Sequence, residues 1–321
     1  MEFRRLRPEE LEDWFTHLVS VFPLGSSKGG REYFLRHWEN DPWKNLEDIF
    51  VAVEAGQILS TVRIMPRRIF LAGEEVTMGG IGEVSTKLEW RGTGLSSRLL
   101  QMAVEEMERR GIQFSMLFAS LTGFYARLGW RELHSRWKVV EVPEEHSRLD
   151  RIRPFSLQTD LASIREIYDH YARNFNGPVV RDTEDYWKKW VMGELKNWWV
   201  IEDITQQIIA YFGIELEKDE LRVKEFGTYP TTTAELFDRA VSVLAHLVGP
   251  KVRRIKFDAA IYSRLKVIAW EDNPYKMYRL VTPFTLGEWR ITNNQELLTL
   301  LSQGEGSNGK SGCLFWAVDA F

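Results

Sequence analysis

The chain has one cysteine, Cys313, which excludes an internal disulfide framework and any zinc site built on cysteine pairs. It has no run of 18 apolar residues, so nothing in it reads as a membrane-spanning helix. It has no basic excess: 42 Lys and Arg stand against 46 Asp and Glu, a net charge of -4. That balance argues against a general nucleic-acid binder. The opening segment, MEFRRLRPEELEDWF, lacks the apolar core of a secretion signal. Its six histidines (His17, His37, His134, His146, His170 and His246) form neither an H-x₃-H pair nor an HExxH motif. No G-x-S-x-G nucleophile elbow occurs. A metal-free cytoplasmic protein, in contact with neither membrane nor nucleic acid, is the expectation.

What is present is an ordinary globular composition, with 44% apolar and 27% charged residues but 13 tryptophans, a number that a well-filled core accounts for. A length of 321 residues favours two domains over one. MEFRRL reads as a strand, followed by helices over 8–22 and 32–38. DIFVAVEAGQILSTVRIMPRRIF reads as a hairpin turning at Ala55-Gly56, and EEVTMGGIGEVST as a third strand whose glycines predict a bulge or a close backbone approach. Leu95, Leu99, Leu100, Ala103, Val104 and Met107 then define one face of a helix that Gly111 is placed to end. FSMLFAS and WKVVEV read as strands, with a short helix at LTGFYARLGW between them.

The polar stretch PEEHSRLDRIRP places a boundary near Ser147. Beyond it the order of elements repeats: helices over 160–171 and 184–192, a hairpin from NWWVIED to QIIAYFGIE, the strand LRVKEFG, a helix over 231–247, and strands at RRIKFDAA and YKMYRLV. A helix over 294–301, a Gly/Ser loop and a terminal strand CLFWAVDAF complete the chain. The fold class is therefore α/β, or α+β, with two similar units.

Arg91-Gly92-Thr93-Gly94-Leu95-Ser96 lies between the third strand and the amphipathic helix. Free N–H groups at a helix N-terminus, glycines that admit a close backbone approach and an arginine suit a pyrophosphate. A plain strand–helix turn would use the same glycines. Ser97 stands where a dinucleotide fingerprint needs its third glycine. A second glycine motif, Gly304 to Ser311, fits G-x-x-x-x-G-K-[ST] but follows a helix and lacks room for a nucleotide-binding sheet, so a linker is the expectation.

The stretch EVSTKLEWRGTGLSSRLL, followed by LFASLTGFYARLGWREL, resembles the two core motifs of the GNAT acetyltransferase superfamily. The form built on Ser120, Phe124, Tyr125, Arg127, Gly129 and Trp130 is most similar to the Eis-like (enhanced intracellular survival) branch. The match is specific over residues 75–133 and architectural over 150–285. Two GNAT folds in tandem are then expected, each a mixed, mostly antiparallel sheet flanked by helices. A catalytic unit would span 1–146, a degenerate one 147–285, and a short segment, 286–321, would stand in place of the branch's sterol-carrier-like domain.

The resemblance implies acetyl-CoA as co-substrate and a small-molecule or peptide amine as acceptor. Contacts to CoA would come from Gly82, Glu83, Val84, Trp90, Arg91, Gly92, Thr93, Gly94, Leu95, Ser96, Ser120 and Leu121. Tyr125 falls on the family's general acid. The base is Glu83, a terminal carboxylate as in the branch, here that of Phe321, or water. Glu89 stands where the family carries Gln or Arg, and GTYPTTTAE replaces the glycine loop in the second unit, which implies no CoA there. The branch also implies a homo-oligomer. The alternative function is a non-catalytic acyl-CoA-binding or sensor module, and His134 is a candidate border of the acceptor pocket.

Overall fold

A computed structural model describes residues 1–22, 30–143, 151–229, 234–249, 251–273, 275–302, 313–316 and 319. The first half comprises β1 (Glu2–Arg5), α1 (Leu11–Val21), α2 (Gly30–Asn40), β2 (Ile49–Glu54), β3 (Gln57–Leu71), β4 (Glu74–Thr86), α3 (Leu95–Arg109), β5 (Phe114–Phe118), α4 (Thr122–Ala126), β6 (Arg131–Glu132) and β7 (Ser135–Glu141). The second comprises β8 (Ile152–Pro154), α5 (Leu157–Ala172), a π-helical turn at Tyr186–Val191, α6 (Met192–Glu194), β9 (Asn197–Glu202), β10 (Ile208–Glu217), β11 (Glu220–Thr228), α7 (Ala234–Val248), β12 (Arg254–Asp258), β13 (Val267–Asn273) and β14 (Lys276–Leu280). A small hairpin, β15 (Phe284–Leu286) with β16 (Trp289–Ile291), and α8 (Asn294–Leu301) follow. No helix among the described residues is long and apolar enough to cross a membrane.

The periodic face expected of α3 is the face that is buried, with Leu99, Leu100, Ala103 and Met107 fully enclosed. Each large apolar side chain so placed stabilises by roughly 2 kcal/mol. Gly79 lets the helix approach β4, since a Cβ there would lie 2.2 Å from the Met107 sulfur. On the other face of the sheet, Trp14, Phe15 and Leu18 of α1 and Phe34 and Trp38 of α2 pack over Ile49, Val51 and Ile58.

Two seven-stranded mixed sheets result, ordered β1-β2-β3-β4-β5-β14-β6 and β13-β7-β12-β11-β10-β9-β8. The two halves exchange a strand. WKVVEV, a strand as expected, leaves the first half to pair with β12 and β13, while YKMYRLV returns to pair with β5 and β6. The reason is visible in β5, where Phe114, Ser115, Met116 and Leu117 are all buried. A strand enclosed on both faces sits inside a sheet and needs partners on both edges. Here β4 supplies one and β14 the other. One apolar core consequently spans both halves, joining Ile69, Phe114 and Met116 to Trp187, Phe212 and Leu244. The boundary near Ser147 falls outside the described residues.

The helix expected over 184–192 forms, and its π stretch at Tyr186–Val191 turns Tyr186, Trp187 and Trp190 all into the core. Two local expectations change. The strand β13 was not expected, because VIAWEDN shows no alternation and sits exposed at the sheet edge. The terminal strand is not formed over the described residues 313–316: Cys313 makes an isolated bridge to Asn176, and the segment is buried without a ladder. The Gly304–Ser311 motif, Pro230 to Thr233 of GTYPTTTAE, and Phe321 lie outside the described residues.

Candidate active site

Strands β4 and β5 run parallel from Met78↔Phe114 to Ile81↔Leu117, and there the pairing stops. β4 continues to Thr86 on β3, and its other edge has no strand partner among the described residues. At this point the β3–β4 register shifts between Thr61↔Ser85 and Arg63↔Gly82, placing Glu83 and Val84 opposite one residue. The bulge that the glycines predicted is present, but Glu83 itself carries the left-handed backbone, at φ 54°. Such a conformation in a non-glycine residue costs about 1–3 kcal/mol and persists where the surroundings enforce it.

One cleft, of about 560 Å³, opens at the far end of this edge. Gly92 (φ 79°) and Gly94 (φ 88°) carry the chain from β4 into α3. The first bond of the helix runs from the Arg98 N–H to the Gly94 carbonyl at 3.0 Å. The N–H groups of Leu95, Ser96 and Ser97 therefore lie outside the helical ladder, as at any helix start. The Ser96 hydroxyl is tied to Thr86, and Ser60 bonds the Ser85 carbonyl and Thr86 at 2.8 Å, which fixes the loop to the strand. His17 buttresses the same strand, bonded to the Ile58 carbonyl at 3.2 Å and to the Ser85 hydroxyl at 3.0 Å, and burial lowers its pKa to about 4. Arg91 is exposed at the mouth, with Trp90 and Leu95 along the wall. Thr93 turns its hydroxyl back to the Trp90 carbonyl at 2.6 Å and does not line the cleft; Glu89 is exposed.

A Cβ at Gly94 would meet nothing within 4 Å, so Gly94→Ala perturbs only the backbone. We expect a stability loss of about 1 kcal/mol in urea melts, as the loop retreats from its left-handed geometry.

A second cleft, of about 400 Å³, lies beyond Tyr125 and is lined by Tyr33, His37, Gly82, Glu83, Phe118 and Ser120 among others. Phe22, Val84, Leu121 and Tyr125 line both clefts, so the two meet at the end of β4. The Tyr125 ring is held edge-on by Phe124 and Trp130, at 4.9 and 6.2 Å. Burial pushes its phenol up to about 12, so it is protonated at neutral pH. Its hydroxyl makes no hydrogen bond among the described residues.

The Glu83 side chain is 7% exposed and lies 3.5 Å from Arg63. Burial raises its pKa, and Arg63 and His37 counter that rise. Arg63 donates to Asp41 at 2.8 Å and stacks on Trp38 at 4.8 Å, and Arg67 donates to the same Asp41 oxygen at 3.1 Å. His37 is packed between Tyr33 (4.1 Å) and Trp190 (4.9 Å), with Nε2 3.2 Å from Glu194. The second half thus braces a wall of this cleft. His134 is exposed and lines neither cleft.

The structure brings Gly82, Glu83, Val84, Tyr125 and the glycine loop together around one strand end. Sequence reasoning missed Tyr33, His37, Asp41, Arg63 and Glu194. Only Arg63 gave a signal, as a charge inside the apolar run ILSTVRIM, a placement that needs a buried partner.

The family model described as an acetyltransferase (GNAT) domain matches residues 2–133. Among curated proteins, none matches the sequence. The fold is similar to that of an Enterococcus faecalis V583 protein described as a probable N-acyltransferase, at 17% identity and TM-score 0.71, over 89% of this chain and 76% of that one. A GCN5-related N-acetyltransferase from Anabaena variabilis aligns at 18% identity and TM-score 0.68, with 89% and 76% covered. Eis1 from Mycobacterium abscessus aligns at 14% identity and TM-score 0.60, with 88% and 74% covered.

Proposed function

For a chain whose residues 2–133 match the model of a GNAT acetyltransferase domain, we propose an acetyl-CoA-dependent N-acetyltransferase in which an amine attacks the thioester directly. The observation that carries this is the unpaired edge of β4 beyond Ile81, lying between a glycine-lined helix start and a protonated, unbonded tyrosine. The diphosphate of CoA fits the N–H groups of Gly92 to Ser97, and the pantetheine fits the free strand edge as an added strand.

With the thioester at the bulge, the backbone N–H of Val84 polarises its carbonyl, and the acceptor amine enters from the Glu83 side. As the amine nitrogen bonds to the carbonyl carbon, its proton passes to the Glu83 carboxylate, directly or through one water. Collapse of the tetrahedral intermediate breaks the C–S bond, and Tyr125 gives its proton to the departing sulfur. A preorganised donor at the oxyanion and a proton donor at the leaving group are what acyl transfer requires. The bulge sets Glu83 on the wall of the second cleft, next to Val84, which lines both clefts.

Glu83 must be ionised to act, and burial sets its pKa above the ordinary carboxylate value. Thus kcat/KM should rise with pH through that elevated value and fall below it. Glu83→Gln should abolish this acid limb and lower kcat about 100-fold, with CoA affinity unchanged. An acid limb that survives in the glutamine variant would exclude Glu83 as the base.

A further inference from the structure

The chemistry of the second cleft points to the body of the molecule that carries the amine. Its described lining is dominated by rings, those of Phe22, Tyr33, Phe34 and Phe118, over a floor of Met65 and Ile81. These rings are locked against one another and against their neighbours. Phe22 meets Phe34 at 5.5 Å, Tyr33 meets Phe34 edge-on at 5.3 Å, and Phe118 is backed by Phe315 at 5.4 Å. Such a surface offers a preformed place for another ring, at little cost in side-chain ordering.

Charge along the same wall is spare. Glu83, whose second oxygen has no partner among the described residues while the first lies 3.5 Å from Arg63, is the one carboxylate among the described lining residues. Behind it, Asp41 is bracketed by Arg63 and Arg67, and Glu194 is engaged by Arg36 at 3.1 Å and His37 at 3.2 Å. The cleft can therefore answer one ammonium group with a carboxylate. A second or third ammonium on the same acceptor would be desolvated against rings without a counter-charge.

Resting on the acetyltransferase reading above, we propose that the acceptor is a primary monoamine on an aromatic body, an arylalkylamine, and that Tyr33 is a specificity determinant for its ring. The test runs thiol release with acetyl-CoA on phenethylamine and tryptamine beside spermidine and a lysine peptide, together with calorimetric binding of the same amines to the CoA-saturated protein. The arylalkylamines should show kcat/KM about 10-fold or more above spermidine and the peptide, the worth of one good ring contact. Tyr33→Ala should raise KM for tryptamine about 10-fold at little change in KM for acetyl-CoA, and Tyr33→Phe should retain the native KM. Tighter binding or faster turnover of spermidine or the peptide overturns the proposal. Selective binding of arylalkylamines without turnover of any amine supports the cleft assignment and sinks the acetyltransferase reading instead.

Discussion

Replacing Tyr125 with phenylalanine is expected to lower kcat about 100- to 1,000-fold while leaving the affinity for CoA unchanged. The substitution removes one hydroxyl and keeps the ring, whose edge-on contacts with Phe124 and Trp130 fix the start of the Arg127-Leu128-Gly129 turn. Backbone bonds from Leu128 and Trp130 to the Tyr125 carbonyl, at 2.9 and 3.2 Å, are untouched. In the proposed reaction, what is lost is a proton donor beside the sulfur. A thiolate leaving a tetrahedral intermediate without a donor leaves as an anion, and this affects the transition state more than either bound substrate. The loss should therefore appear in kcat rather than in KM for acetyl-CoA. Equal turnover by Tyr125→Phe and wild type would remove Tyr125 from the chemistry.

The largest effect on stability is expected at Arg181. Its guanidinium is fully buried and bonds both oxygens of Glu225 at 2.7 Å and both of Asp319 at 3.0 and 2.8 Å. It also lies over the rings of Tyr168 and Trp187, at 4.1 and 4.7 Å. Tyr186 and Tyr211 complete the shell by donating to Asp319 and Glu225. Arg181→Met keeps much of the volume but strands two carboxylates where no water can reach them. Breaking one buried pair in this way costs about 3–5 kcal/mol, and the loss of both contacts places this variant at the upper end.

The pH dependence follows from the sign of the shift. Burial already raises the Glu225 pKa against the pull of Arg181. Without that cation the folded-state value rises further above the unfolded one, so the deficit is largest at neutral pH and shrinks as pH falls and Glu225 protonates. Urea midpoints of wild type and variant between pH 5 and pH 8 measure this; a deficit below about 1 kcal/mol throughout would mean that the network is not sealed from solvent.

Local pattern made much of the first half legible. The face of α3, the turn at Ala55-Gly56, the glycine loop and the bulge near Gly82 each depend on residues within one or two turns of chain, where periodicity and glycine placement speak directly. Even there the detail differed, since the left-handed residue is Glu83 and the preceding glycines serve partly to admit Met107.

What the sequence hid are pairings between distant segments. Asp41 meets Arg63 and Arg67, His37 meets Trp190 and Glu194, and Arg181 meets Asp319, none with a local signature. The strand exchange was hidden for the same reason: WKVVEV and YKMYRLV read as strands wherever they pair, and only the two-sided burial of β5 decides which sheet takes which. The second half also has a part in the second cleft, because the π turn and α6 bring Trp190 and Glu194 against His37 in its wall.

Thiol release from acetyl-CoA by the wild-type chain, followed with and without primary amines, tests the central claim most directly. The account predicts amine-dependent release at one thiol per amide formed. CoA that binds without release in the presence of any amine would contradict it and leave a non-catalytic acyl-CoA-binding module in its place.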